Sequence, residues 1–258
     1  MNGGAIDTHA HLYPSSRYLG DLLAIYDRLG IERVCLSGLG EPFALAGNSD
    51  VARAIGAAPD RVVGYYFVRL GQHDVGDADR AVDAGFRGLK FTIPLHPYDD
   101  ERFFPLYQRA EALGLPCLFH TGIVTTAAYT PGVSSAKMRP AHLDAIAREF
   151  PRLACVCAHM GMPWYEEAAA IVRILPNVYL DISGAPAGWR KQKPAAFFHE
   201  TLYWPGAWRK LLWGSDVPAT DVEAALQRDQ ALVEELGLSE SDGDAFFRDT
   251  ALRLLALA

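Results

Sequence analysis

The sequence predicts an α/β chain folded as a single-domain (β/α)8 TIM barrel, and three observations lead there. Eight short apolar or β-branched runs alternate with longer stretches of helical period across 258 residues, about the length such a barrel needs. The runs are almost continuously apolar, as parallel strands covered on both faces must be. No glycine-rich phosphate turn follows the first run, which leads into Leu12-Tyr13-Pro14, so an open doubly wound sheet is the weaker alternative. The one domain is taken to span residues 1–258.

Taken in order, strand one is expected over 5–12, where apolar residues flank Asp7, His9 and His11. An amphipathic helix over 19–29 ends at Leu29-Gly30-Ile31, a glycine placed for a left-handed C-cap with an apolar residue after it. Strand two (33–37), strand three (62–68) and strand four (88–92) are short apolar or β-branched runs. The helix over 103–113 stops at Leu113-Gly114-Leu115 in the same way as the first. Strand five covers 116–120, a helix over 142–150 precedes strand six at 154–159, and a helix over 164–175 precedes strand seven at 178–182. Strand eight is expected over 211–215, followed by a helix over 222–236 that ends at Leu236-Gly237-Leu238. A last helix over 245–257 closes the barrel or packs over its outside.

A formal net charge of -7 argues against a nucleic-acid partner, which needs a basic face or stripe. No uninterrupted apolar run is long enough to span a bilayer, and no basic region followed by an apolar segment opens the chain. A cytoplasmic protein with no membrane partner is therefore expected. Cys35, Cys117, Cys155 and Cys157 each sit in a short apolar segment, which suits small buried hydrophobes better than disulfides. The spacing of Cys155 and Cys157 is too short for a zinc knuckle.

The chemistry-bearing residues fall at strand ends. His9 and His11 stand two apart, so a strand aims both imidazoles at one point, and two neutral ring nitrogens there suit a metal. Strand four carries Lys90, strand five ends in His120, strand six in His159 and strand eight in Asp216. Singly, each has a bland reading: a solvated lysine, a loop histidine, a helix N-cap. Only a barrel brings all these strand ends to one face, which makes the set a candidate site.

On Asp7-Thr8-His9-Ala10-His11, Gly88-Leu89-Lys90, Phe119-His120-Thr121-Gly122, Ala158-His159-Met160-Gly161 and Gly214-Ser215-Asp216-Val217-Pro218, the chain resembles the amidohydrolase superfamily over its whole length. Within it, the chain is similar to the amidohydrolase-related branch that includes aminocarboxymuconate-semialdehyde decarboxylase. Ala251-Leu252-Arg253-Leu254-Leu255 is similar to that family's closing helix. The resemblance implies one divalent metal, zinc ahead of manganese, held by His9, His11, His120 and Asp216 with an open position. It implies His159 as general base or oxyanion stabiliser, with Asp216 also able to accept a proton from the nucleophilic water. Lys90 stands where some relatives carry a carboxylated lysine bridging two metals, a case in which His159 becomes a ligand. A free Lys90 that anchors a substrate carboxylate or orients the site is the preferred reading. The loop beyond departs from the branch's pattern: Phe91-Thr92-Ile93-Pro94 follows the lysine, and His96-Pro97 comes later.

Tyr13, Arg17, Lys90, Trp164 and Arg190 are the substrate-binding candidates, the last within Trp189-Arg190-Lys191-Gln192-Lys193 after strand seven. Positive charge beside aromatic rings in an acidic protein suggests a wall for an organic acid. The stretch over 125–140 has the composition of a lid. Met160 and Met162 are read as packing residues, and His73, His142 and His199 as surface or packing residues. The expected function is a metal-dependent hydrolase of a small carboxylate-bearing ester, lactone or amide. A non-oxidative decarboxylase of an aromatic or dienoic acid is the runner-up. A catalytically inactive metal- or ligand-binding barrel is the non-enzyme alternative, disfavoured because it has no need of His159. The expected partner is a small organic-acid derivative, with a homodimer left open.

Overall fold

The computed structural model of the protein describes residues 4–124 and 130–257. Its strands are β1 (Ala5–His11), β2 (Ile31–Ser37), β3 (Val62–Val68), β4 (Gly88–Phe91), β5 (Cys117–Phe119), β6 (Cys155–Cys157), β7 (Val178–Asp181) and β8 (Leu211–Leu212). They lie in sequence order in one sheet, each parallel to the next. The helices between them are α1 (Tyr18–Leu29), α2 (Asn48–Ala57), α3 (Gly76–Asp83), α4 (Phe104–Leu113), α5 (His142–Glu149), α6 (Tyr165–Ile174) and α7 (Ala195–Thr201), with α8 (Val222–Glu235) after β8. The predicted barrel is therefore the observed fold.

The barrel is nearly closed by an irregularity in β1. Asp7 pairs with Val34 but Ala10 with Leu36, so β1 carries one extra residue at Thr8-His9. That bulge frees the Thr8 N–H and hydroxyl to donate to Trp213 O at 2.9 and 2.7 Å, while the Asp216 N–H donates to His9 O at 2.7 Å. Gly214 lies directly behind: a Cβ there would stand 2.6 Å from the Cβ of His9, so only glycine lets the chain after β8 approach β1 this closely.

Ile6, Cys35, Val63, Tyr65, Leu118, Val156 and Leu212 pack together inside the barrel. Ala251 and Leu255 join that cluster, and Leu257 O accepts from Arg33 near the start of β2. The chain's C-terminus thus stops the mouth opposite the strand ends. This region begins as α9 (Glu240–Asp244), widens through a π-helical turn at Ala245–Asp249 and ends as α10 (Thr250–Leu254), rather than forming one regular helix. All four cysteines are buried and free, as their apolar contexts predict. Among the described residues no helix is long and apolar enough to cross a membrane.

Two kinds of difference separate the sequence reading from the structure. The helices α2, α3 and α7 are not among those the sequence reading names; α2 buries Val51 and Ala54, and α3 buries Ala78, Ala81 and Asp77, small or acidic residues rather than a run of large apolar ones. Strands five, six and eight end early, because the chain turns at His120, at His159 and beyond Leu212. His159 (φ 55°) and Asp216 (φ 50°) adopt left-handed backbone, which no strand continues through.

Candidate metal centre and active site

The strand-end residues converge at the C-terminal mouth. The rings of His9 and His11 have centroids 5.4 Å apart at 81°, those of His9 and His159 are 4.9 Å apart, and those of His120 and His159 are 4.8 Å apart. Asp216 reaches between them: its Oδ1 is 3.1 Å from His11 Nε2 and 3.9 Å from His9 Nε2, and its Oδ2 is 3.8 Å from His159 Nδ1. The ligand atoms of His9, His11 and Asp216 all lie within 4.8 Å of one another, and so do those of His9, His159 and Asp181.

The sequence reading missed the residues that aim these rings. Asp181, at the end of β7, accepts from His9 Nδ1 at 2.8 Å through Oδ2. Its Oδ1 accepts from the His159 N–H at 2.8 Å, the Ser183 N–H at 3.0 Å and the Ser183 hydroxyl at 2.6 Å. With both oxygens so occupied, Asp181 serves as the outer partner of His9, fixing Nδ1 as the protonated nitrogen and leaving Nε2 as the acceptor that faces Lys90 and Asp216. Ser37, on β2, does the same for His11, its hydroxyl lying 2.9 Å from Nδ1. Asp7 accepts from Tyr26 at 2.7 Å, from the Ser215 N–H at 2.9 Å and from the His9 N–H at 3.1 Å, tying β1 to the loop that carries Asp216.

Electrostatics follow from burial. Burial, reinforced by the charge of Lys90, lowers the His9 pKa to about 4. Burial together with His159 and Lys90 holds His120 well below the ordinary imidazole value. Both rings are therefore neutral at pH 7, the state a metal ligand needs. Burial alone would raise Asp181 and Asp216, but the facing imidazoles outweigh it and both carboxyls are lowered. Burial lowers Lys90 to about 8, against the pull of Asp216 and Asp181; its Nζ donates to His9 Nε2 at 2.9 Å.

These features fit a divalent metal. With His11 Nδ1 donating to Ser37, His11 Nε2 presents a lone pair to a carboxylate oxygen 3.1 Å away, two acceptors that need a cation or proton between them. His120 Nε2 is buried with no hydrogen-bond partner among the described residues, an orphaned polar atom beside the cluster. Nitrogen and carboxylate donors suit zinc or manganese.

Above the cluster lies a cavity of about 380 Å³. His11, Lys90, His120, His159 and Asp216 form its floor, and Leu39, Phe43, Leu45, Ile123, Val124, Met162 and Trp189 its walls. Of the substrate candidates, Tyr13 and Lys90 line it. Three others do not. Arg17 is exposed at the start of α1, and Trp164 sits beneath Arg139 with the guanidinium 5.0 Å from its ring. Arg190 is buried behind the wall, donating to Ile182 O at 2.7 Å and to Asp229 at 2.6 Å, because a guanidinium among aromatic rings pairs with a buried carboxylate as readily as with a ligand. Met160 is buried packing, as expected, whereas Met162 faces the cavity. Of the expected lid, 125–129 lies outside the described residues; Ser135–Met138 forms a short turn with Met138 buried.

A family model described as Amidohydrolase matches residues 6–257. The chain belongs to the amidohydrolase family. Its fold is shared with an uncharacterised TIM-barrel protein from Bordetella bronchiseptica (TM-score 0.76, 20% identity, 98% of each chain). It is shared too with 2,6-dihydroxybenzoate decarboxylase from Rhizobium (TM-score 0.70, 18% identity, 99% of each chain), a protein also solved with 2,6-dihydroxybenzoate. A third is a probable 2-pyrone-4,6-dicarboxylic acid hydrolase from Acinetobacter baumannii, solved with citric acid bound (TM-score 0.68, 17% identity, 98% of this chain and 99% of that one). Among curated proteins, this amidohydrolase is 28% identical over 101 residues to Protein fluG of Emericella nidulans, a match covering 39% of the chain and 11% of that protein's length.

Proposed function

We propose that this amidohydrolase is a metal-dependent hydrolase acting on a small carboxylate-bearing ester, lactone or amide. The observation that carries the reading is the junction of His9, His11 and Asp216, with His159 on the same cavity floor. His9, His11, His120 and Asp216 would hold one divalent ion. Such an ion supplies positive charge that polarises a carbonyl and makes a water acidic near neutral pH. His159 acts as general base; Ser183 Oγ, 2.9 Å from its Nδ1, orients the ring by accepting from that nitrogen while donating its own proton to Asp181. Asp216 takes up a proton through the oxygen that faces His159. Lys90, the one Lys or Arg among the described lining residues, anchors the substrate carboxylate, and the apolar wall receives the rest of the molecule.

The second reading is decarboxylation, favoured by that same wall: an apolar enclosure destabilises a carboxylate relative to released carbon dioxide. Elemental analysis of protein purified without added metal tests the common basis, with one equivalent per chain expected. Two equivalents together with a carboxylated Lys90 would refute the mononuclear site and make His159 a ligand. A screen of lactones and amides against aromatic and dienoic acids then separates hydrolysis from loss of carbon dioxide.

A further inference from the structure

The cluster around Asp229, on α8 and away from the cavity lining, has a structural logic that the chemistry above does not use. Asp229 is fully buried and accepts from Arg190 Nη2 at 2.6 Å, Arg228 Nη2 at 2.7 Å, Arg228 Nε at 3.0 Å and Trp213 Nε1 at 3.2 Å. The two arginines then reach in the same direction. Arg190 Nη1 donates to Ile182 O and Arg228 Nη1 to Gly184 O, each at 2.7 Å. Between those clamped carbonyls lies Ser183, whose hydroxyl is 2.9 Å from His159 Nδ1 and whose carbonyl accepts from Trp189 Nε1 at 3.0 Å. Gly184 and Trp189 both line the cavity. The Arg190 guanidinium also lies 4.8 Å from the Phe198 ring centroid and 5.5 Å from that of Trp189, which holds it in place from the side.

We propose that Asp229, Arg190 and Arg228 are positioning residues: the buried carboxylate gathers two guanidiniums that grip the backbone on either side of Ser183, fixing Ser183 against His159 and Trp189 as the cavity wall. A buried ion network is a poor device for stability alone, because desolvating the charges offsets much of their attraction. It is a good device for holding a loop in one geometry, since each guanidinium has several donors in a rigid plane.

The proposal rests on the functional reading only for the role of His159; its test is geometric and needs no substrate, so either can fail without the other. The zinc-loaded full chain, labelled at histidine ring nitrogens and with fluorotryptophan, is compared with Arg228→Met, Arg228→Lys, Asp229→Asn and the control Arg209→Met. Arg228 is partly exposed, so Arg228→Met leaves Asp229 paired with Arg190 and Trp213 and gives a folded readout even where Asp229→Asn does not fold. The expected result is a shift of the His159 Nδ1 and Trp189 signals in Arg228→Met, a smaller shift in Arg228→Lys, and none at His11 or Trp204. Arg209→Met, which loses the surface bonds to Asp242 and Ser241, should move neither signal. Unmoved His159 and Trp189 signals with a lowered melting temperature would reduce the cluster to a structural pair and overturn the proposal. Equal shifts at every histidine and tryptophan, or in the control, would overturn it as well.

Discussion

Asp181→Asn isolates the influence of a residue proposed to act on the metal through His9. The amide keeps the shape of the carboxylate, and its oxygen can continue to accept from the His159 N–H, the Ser183 N–H and the Ser183 hydroxyl, now at 2.8, 3.0 and 2.6 Å. The amide nitrogen then occupies the place of Oδ2, 2.8 Å from His9 Nδ1. Two donors cannot face each other, so the variant loses the bond that holds the His9 proton on Nδ1 and with it the preference that keeps the Nε2 lone pair toward Lys90 and Asp216. The reversed amide is worse, because three donors would meet an NH2 group. Losing an outer partner of a ligating histidine lowers metal affinity about 10- to 100-fold, or ~1.4–2.7 kcal/mol. The metal-free protein should lose about 1.5–3 kcal/mol for the charge-assisted bond, seen as a melting temperature lower by roughly 3–12 °C. Chelator competition gives the first quantity and thermal melting of the metal-free protein the second. An unchanged metal affinity would refute the assignment of Asp181 as the group that sets the His9 tautomer, even if stability fell.

Three further outcomes are expected. His11→Asn should lose metal, whereas His159→Asn should retain it with turnover lowered ~10²- to 10⁴-fold; equal metal loss in both, read by elemental analysis, would merge the ligand and base roles. Lys90→Met should raise KM for an acid substrate far more than for its methyl ester, and equal effects on the two would remove Lys90 as the carboxylate anchor. Arg190→Met should cost about 3–5 kcal/mol in denaturant unfolding, since it strips a partner from buried Asp229, and should not distinguish acid from ester; an acid-selective KM effect would return Arg190 to the substrate.

The fold was legible because its signals are local. Alternating apolar runs and helical stretches, punctuated by glycines that do take left-handed backbone at Gly30, Gly114 and Gly237, need no knowledge of distant contacts. His9, His11, Lys90, His120, His159 and Asp216 were legible for the same reason: each ends a run. Asp181 ends β7 and Ser183 follows two residues later in the run Val178-Tyr179-Leu180-Asp181-Ile182-Ser183, so the same inspection of strand ends would have found them. Arg190 was misread because its partner Asp229 is 39 residues further on, on another helix. Charge beside aromatic rings looks the same in a sequence whether it faces a ligand or a buried carboxylate.

The remaining disagreement falls on the site itself. Apolar periodicity extends strand six through His159 and strand eight to Ser215, because a count of apolar residues carries no information about the sign of φ. The chain instead turns left-handed at His159 and Asp216, and at Ile93 (φ 44°) just after the strand that bears Lys90. For a β-branched residue that conformation is a true outlier, and each such position costs of order 1–3 kcal/mol unless its surroundings enforce it. The surroundings here do: the His159 N–H is held by Asp181, the Asp216 N–H by His9 O, and Ile93 O by Arg69 Nε at 2.9 Å. Strands that ran on would carry these side chains past the mouth along their own axes. Turning the backbone just beyond the ends of β6 and β8 leaves His159 and Asp216 lining the cavity, so the positions where local rules fail coincide with those proposed for the chemistry.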